Sequence, residues 1–143
     1  MPGAMVVLER PGGEILLTRR VDNGMWCLPA GAAEPGGSFA KTAINEAREE
    51  IGVDLDLVDL VAYGSLSAAE THTIHYPNGD KTHCFALLFV ANRWRGEPTA
   101  DGEEVVEVRF VDPTTPPEPT MAPALAAVEL FRRYRETGAF QAG

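Results

Sequence analysis

The chain has 143 residues, 45% of them hydrophobic, and a formal net charge of -9 at pH 7. That length can bury one core without disulfide or metal staples, so a single domain over residues 1–143 is expected. The acidic balance argues against a polymeric nucleic acid as partner, because no Lys/Arg cluster offsets repulsion of a phosphate backbone. A small phosphorylated ligand stays admissible if a cation bridges it to the acidic groups.

No run of about 18 apolar residues is present, so no membrane span is expected. Met1 to Leu8 is short and lacks the basic start of a signal peptide, and a cytoplasmic location follows by default. Met1-Pro2-Gly3 leads almost at once into the first strand, so contacts made by an N-terminal extension are not expected. The two cysteines, Cys27 and Cys84, stand far apart in apolar settings. They read as reduced core thiols.

In chain order, Ala4 to Leu8 and Glu14 to Arg19 read as strands, with Pro11-Gly12-Gly13 as a hairpin turn between them. Met25 to Leu28 is a third short strand. Pro29 to Gly37 holds three glycines and two prolines in nine residues and reads as a loop. A helix then runs from an N-cap at Ser38 to about Ile51, where Gly52 stops it. Ala43, Ala47 and Ile51 form its apolar row, with Phe39 one turn earlier. Val53 to Ser67 is strand-like and bent near Gly64. Thr71 to Tyr76 and Thr82 to Ala91 flank Asn78-Gly79, a strong hairpin signal. Glu104 to Val111 alternates as the last strand. Asp112 to Pro123 carries five prolines and reads as a rigid connector. Ala124 to Arg135 closes the chain as an amphipathic helix with Leu125, Val128, Leu130 and Phe131 apolar. This order predicts an α/β fold, a mixed β-sheet sandwiched between helices.

Glu46, Glu49 and Glu50 stand at i, i+3 and i+4, which gathers three carboxylates on one side of the helix. Like charges at that spacing, near the negative end of the helix dipole, each cost a few tenths of a kcal/mol to about 1 kcal/mol. A divalent cation would reverse the sign of those terms. Oxygen-only ligands select hard ions, Mg²⁺ first and Mn²⁺ second. Arg48 and Lys41 offer partial relief without a cation, so a solvated acidic face is the competing reading.

The segment from Gly31 to Val53 resembles the Nudix box of the Nudix hydrolase family. Gly31 opens the motif, Glu46, Glu49 and Glu50 fill its acidic cluster with Ala47 at the apolar position between them, and Gly52-Val53 closes it. Trp26-Cys27-Leu28-Pro29 and Glu34-Pro35-Gly36 also resemble the family's approach to the box. Gly37 stands where the family has Glu, and Asn45 where it has Arg, so a supporting pair is missing. The resemblance implies the Nudix fold and Mg²⁺-dependent hydrolysis of a nucleoside diphosphate linked to another group. Nucleotide sugars, ADP-ribose and nucleoside triphosphates all stay open as substrates. By the same resemblance Glu46 and Glu50 are metal ligands, Glu49 is a ligand or the base, and the Gly31 carbonyl is a backbone ligand.

Several further residues follow from the same comparison. Arg19 and Arg20 point to opposite faces of a strand, and Arg20 is the expected phosphate contact. Glu104 is expected to add an acid from the loop before the last strand, in preference to Glu103. Trp26 is a candidate to stack on a base, against a packing role. His72, His75 and His83 raise a zinc reading, which the three-residue spacing of the first two on a strand opposes. A homodimer stays open. The rival from another class is a Nudix-like module that senses a nucleotide without cleaving it, which the Gly37 and Asn45 departures favour.

Overall fold

The computed structural model describes residues 1–143. Its first strand, β1 (Pro2–Leu8), pairs in parallel with β8 (Phe85–Ala91) and antiparallel with β4 (Ala30–Ala32). β8 also pairs antiparallel with β5 (Val61–Leu66), and β10 (Gln141–Ala142) adds a short parallel edge. This gives a mixed five-stranded sheet in the order β10-β5-β8-β1-β4. A second, antiparallel sheet has the order β3-β2-β9, from Trp26–Cys27, Ile15–Arg20 and Val105–Val111. β6 (Thr73–His75) and β7 (Lys81–His83) form a separate ribbon.

Alternation along β1 decides which helix covers which face. Ala4, Val6 and Leu8 join Ala43, Ala47 and Ile51 of α1 (Phe39–Ile51) in one core cluster. Met5 and Val7 join Val128, Leu130 and Phe131 of α2 (Ala122–Thr137) in the other. The Tyr63 hydroxyl donates to the Ala127 carbonyl at 2.9 Å, tying α2 to β5. The expected α/β/α layering is present. No helix is long and apolar enough to cross a membrane. Both cysteines are buried and free.

Local signals fix both ends of α1. The Ser38 hydroxyl accepts from the Lys41 amide at 3.0 Å, and Gly52 adopts the left-handed conformation with φ 70°. Asn78-Gly79 closes the β6–β7 ribbon as its sequence predicts.

Other expectations change. Pro11-Gly12-Gly13 makes a tight turn, but β1 and β2 meet at only one bridge, Glu9 with Ile15. β1 already has β4 and β8 as partners, so β2 turns away to pair with β9. The glycine-rich stretch after Pro29 contains β4. Phe39 is 39% exposed and does not continue the buried row of α1, and Leu125 is likewise exposed on α2. The strand expected from Thr82 to Ala91 is broken at Cys84 into β7 and β8.

Candidate functional site

The end of α1 sets the acidic site. A helix advances about 100° per residue, so Glu49 and Glu50 flank Glu46 on opposite sides. Glu50 turns inward and is 6% exposed, whereas Glu49 is exposed. The structure brings Glu50 and Glu46 together with Glu104, which arrives from the loop before β9. Carboxylate oxygens of these three lie within 4.8 Å of one another. Glu49 lies outside that group and lines a polar recess with Glu34, Lys41, Asn45 and Glu46. The helical spacing gathers the three acids only coarsely, and burial then separates Glu49 from Glu50.

Burial, then the charge of Glu46, pushes the Glu50 carboxyl up to about 9. Its carboxylate also accepts a hydrogen bond from the Ala30 backbone, which acts the other way. Burial likewise raises Glu46, with Glu49, Glu104 and Glu34 adding to the shift, while a hydrogen bond with Glu50 opposes it. The two side chains share a hydrogen bond, so without a cation one proton holds the pair together.

Gly31 has a steric role here. A Cβ at that position would stand 2.3 Å from both Cδ and Oε1 of Glu46. Only glycine lets the carboxylate lie against β4. The Gly31 carbonyl packs against Gly3 of β1, where an added Cβ would come within 2.6 Å of the oxygen.

Glu104 is placed by a residue that the sequence pattern did not single out. Asp101 Oδ1 accepts hydrogen bonds from the amides of Glu103, Glu104 and Val105 at 3.0, 3.0 and 2.9 Å. Burial opposes ionisation of Asp101, but these three donors hold its carboxyl below the usual range. The Glu104 carbonyl accepts from the Val21 amide at 2.9 Å, which ties the loop to the end of β2. The available signal was Asp101-Gly102 directly before a strand, a local turn pattern.

Arg20 and Arg19 do face opposite ways. Arg19 pairs with Glu107 across β2 and β9. Arg20 donates from Nε and one terminal nitrogen to Asp22 at 2.9 and 2.7 Å. The bond to Asp22 raises the Arg20 pKa further, and Glu50 adds a smaller pull. The other terminal nitrogen has no protein partner, and Arg20 lines a cavity of about 260 Å³ that also borders Gly31. Most of the residues lining this cavity are hydrophobic, including Met1, Met5 and Met121.

Trp26 does not line this cavity. It is 4% exposed, sits in the core cluster beneath α2, and carries the Arg109 guanidinium 4.6 Å above its ring. With its ring so covered, it is a packing residue and offers no open face to a base. The histidines do not assemble into a metal site, since the only cluster of potential ligands is the three glutamates. His83 Nε2 instead meets the Ser67 carbonyl.

Residues 1–130 match the family model described as NUDIX domain. The chain belongs to the Nudix family and is a Nudix-type pyrophosphohydrolase. It is 30% identical over 112 residues to a Bacillus subtilis (strain 168) protein provisionally named 8-oxo-dGTP diphosphatase, covering 78% of this chain and 66% of the relative. It is 28% identical over 115 residues to an RNA pyrophosphohydrolase of Pseudomonas putida (strain GB-1), covering 71% and 72%. Among solved structures, a MutT NUDIX hydrolase from Burkholderia pseudomallei superposes with a TM-score of 0.71 at 21% identity, covering 90% of this chain and 95% of that one. The NUDIX domain of Shewanella oneidensis NrtR, complexed with ADP ribose, gives 0.71 at 16% identity, covering 96% and 88%. These superpositions establish the fold.

Proposed function

We propose that residues 1–143 act as one hydrolase domain that cleaves a phosphoanhydride bond in a nucleoside diphosphate linked to another group. Mg²⁺ is the proposed cation, with Mn²⁺ as substitute. The observation that carries this reading is the convergence of Glu46, Glu50 and Glu104, one of them buried. The donor set fits a hard divalent ion, because it offers carboxylate oxygens and neither sulfur nor imidazole. A buried carboxyl raised by burial and by a like charge becomes a favourable anion once a cation arrives.

Glu46, Glu50 and Glu104 would hold the cation, with Gly31 providing room for Glu46. When bound, a divalent cation neutralises phosphate charge and makes water more acidic. Glu49 stands exposed beside Glu46 and is the carboxylate free to take the proton of the attacking water. The water oxygen bonds to phosphorus, the anhydride P–O bond breaks, and the leaving phosphate carries away its electron pair. Arg20 keeps one terminal nitrogen for a phosphate oxygen while Asp22 fixes its orientation. Asp101 holds the Glu104 loop in position. The apolar cavity next to Gly31 suits the nucleoside part of the substrate.

The RNA pyrophosphohydrolase among the relatives is named for a polymeric substrate. The net charge of -9 favours a soluble nucleotide here. The test is a panel of nucleoside triphosphates, nucleotide sugars, ADP-ribose and dinucleoside polyphosphates with Mg²⁺, read by released phosphate or nucleotide. Turnover of at least one substrate, abolished by chelator, is expected. Nucleotide binding with no turnover of any substrate would instead establish the sensing module that Gly37 and Asn45 favour.

A further inference from the structure

The cavity beside the acidic cluster contains one strong side-chain acceptor. Arg20 can only donate there. The two thiols are weak partners: burial pushes Cys27 up to about 11, so it stays protonated, and Cys84 Sγ is directed at the Thr82 carbonyl at 3.8 Å. The remaining side chain with hydrogen-bonding capacity is His72.

The backbone of His72 is fixed on both sides. Its amide donates to the Ala68 carbonyl at 2.9 Å, and its carbonyl accepts from the Cys84 amide at 2.8 Å. Its ring Nδ1 lies 3.4 Å from the Leu66 carbonyl. A carbonyl can only accept, so this long contact favours the tautomer with the ring proton on Nδ1, which leaves Nε2 with its lone pair. Burial lowers the His72 pKa, with His83 adding to the shift and the Leu66 contact opposing it, which favours the neutral ring. Nε2 has no protein partner and is not sealed off as a buried unsatisfied atom, so it is open to a ligand. Ile74, Met121 and Ala86 line the same cavity and give it apolar surface and polarisable sulfur.

We propose that His72 is a specificity-determining residue: its Nε2 accepts a hydrogen bond from an amino group on the base of the bound nucleotide, so amine-bearing bases are selected over amine-free ones. The inference rests on the nucleotide-hydrolase reading above, with the phosphates at the glutamates and the base in the adjoining cavity. A site that hydrogen-bonds a ligand N–H rejects an analogue lacking it, because the site's acceptor is then left unpaired.

The test uses nucleoside monophosphates, which are common to every candidate substrate, and measures Kd by calorimetry with Mg²⁺ present. AMP is compared with purine riboside monophosphate, GMP with IMP, and CMP with zebularine monophosphate; each pair differs in one exocyclic amine. The wild type is expected to bind at least one amine-bearing member about tenfold or more tighter than its partner. His72→Leu should collapse that ratio to near one, and His72→Gln, whose amide oxygen can accept, should restore part of it. With the hydrolysed substrate of the panel, His72→Leu should raise KM far more than it lowers kcat. No preference in any pair, or a preference that survives His72→Leu, would overturn the assignment. Hydrolysis with an unaltered base preference would sink the role of His72 and leave the hydrolase reading standing. A His72-dependent preference without hydrolysis would sink the catalytic reading instead.

Discussion

Glu50 makes the metal-free protein's stability depend on pH in a direction opposite to that of most carboxylates. Its carboxyl is raised from 4.5 to about 9 by burial and by Glu46. In the folded protein it keeps a proton that the unfolded chain releases. Its contribution is therefore complete below pH 4.5 and is lost as pH rises toward 9. One retained proton costs about 1.4 kcal/mol per pH unit. Between pH 5 and 7 the metal-free protein should lose about 2.5 kcal/mol relative to a variant without that ionisation. For a chain of this size that is a Tm difference of roughly 7–10 °C.

The assay is thermal unfolding of wild type and Glu50→Gln, in chelator, from pH 5 to 8. Glutamine keeps an acceptor for the Ala30 amide and cannot ionise. Glu46 is raised in the same direction, so the variant's slope should shrink without vanishing. His72 is lowered and works in the opposite sense, stabilising as pH rises through the ordinary histidine range. It is common to both proteins and cancels in the comparison. Glu50→Gln should be the more stable protein at pH 7 and above. Excess Mg²⁺ should stabilise the wild type and leave the variant nearly unmoved, since a ligand that binds only the folded state raises its stability. Identical slopes, or a variant less stable than wild type at pH 8 in chelator, would refute the reasoning.

Glu104→Gln should lower kcat by about 10²-fold or more, while Glu103→Gln stays within about threefold, measured in parallel on the hydrolysed substrate; equal small effects would remove Glu104 from the site. Gly31→Ala should displace the Glu46 carboxylate, because the new Cβ would stand 2.3 Å from it. Weakened Mg²⁺ binding by calorimetry, together with a loss of about 1–3 kcal/mol in chemical denaturation, is the expected result, and unchanged metal affinity would contradict it. In a double-mutant cycle, Gly37→Glu alone should destabilise the protein and Asn45→Arg should recover part of that loss, with a coupling of about 0.5–1 kcal/mol. Additive effects would show that the two positions do not communicate.

Much of the site was legible because it depends on local spacing. The turn of a helix places Glu46, Glu49 and Glu50, and Ser38 and Gly52 mark that helix's ends by capping chemistry. Strand alternation separates Arg20 from Arg19. Long-range packing was far less legible. Nothing in Pro29 to Gly37 announces that Ala30 to Ala32 will pair with β1, because three residues carry too little alternation to stand out. Trp26 reads as core with a stacking role still open until β2, β9 and α2 are assembled around it. His72 reads only as a zinc candidate that its spacing opposes until β6 and β1 enclose a cavity beside it. These residues owe their environments to partners distant in the chain.

The departures at Gly37 and Asn45 acquire a physical meaning only in three dimensions. Both line the same polar recess of about 190 Å³, beside Glu46 and Glu49. A Glu–Arg pair of the family type would occupy that space and would set a cation against the two acids. In this chain the recess is open, and Lys41 is the one cationic side chain that lines it beside the two acids. Gly37 does not hold a left-handed conformation, and an added Cβ would meet the Glu34 carbonyl at 3.1 Å. The backbone therefore does not demand glycine, and the obstacle to a larger residue is a contact that a shift of a few tenths of an ångström relieves. Losing one member of the pair would leave an unmatched charge near the cluster, whereas losing both removes attraction and desolvation cost together. The support that remains for Glu46 comes from the other side: the bare α-carbon of Gly31, the shared proton with Glu50, and the packed row of Ala43, Ala47 and Ile51 beneath. Those contacts hold the inward carboxylates without the brace. Glu49 faces the open recess, so it is the acid whose position the missing pair leaves least constrained.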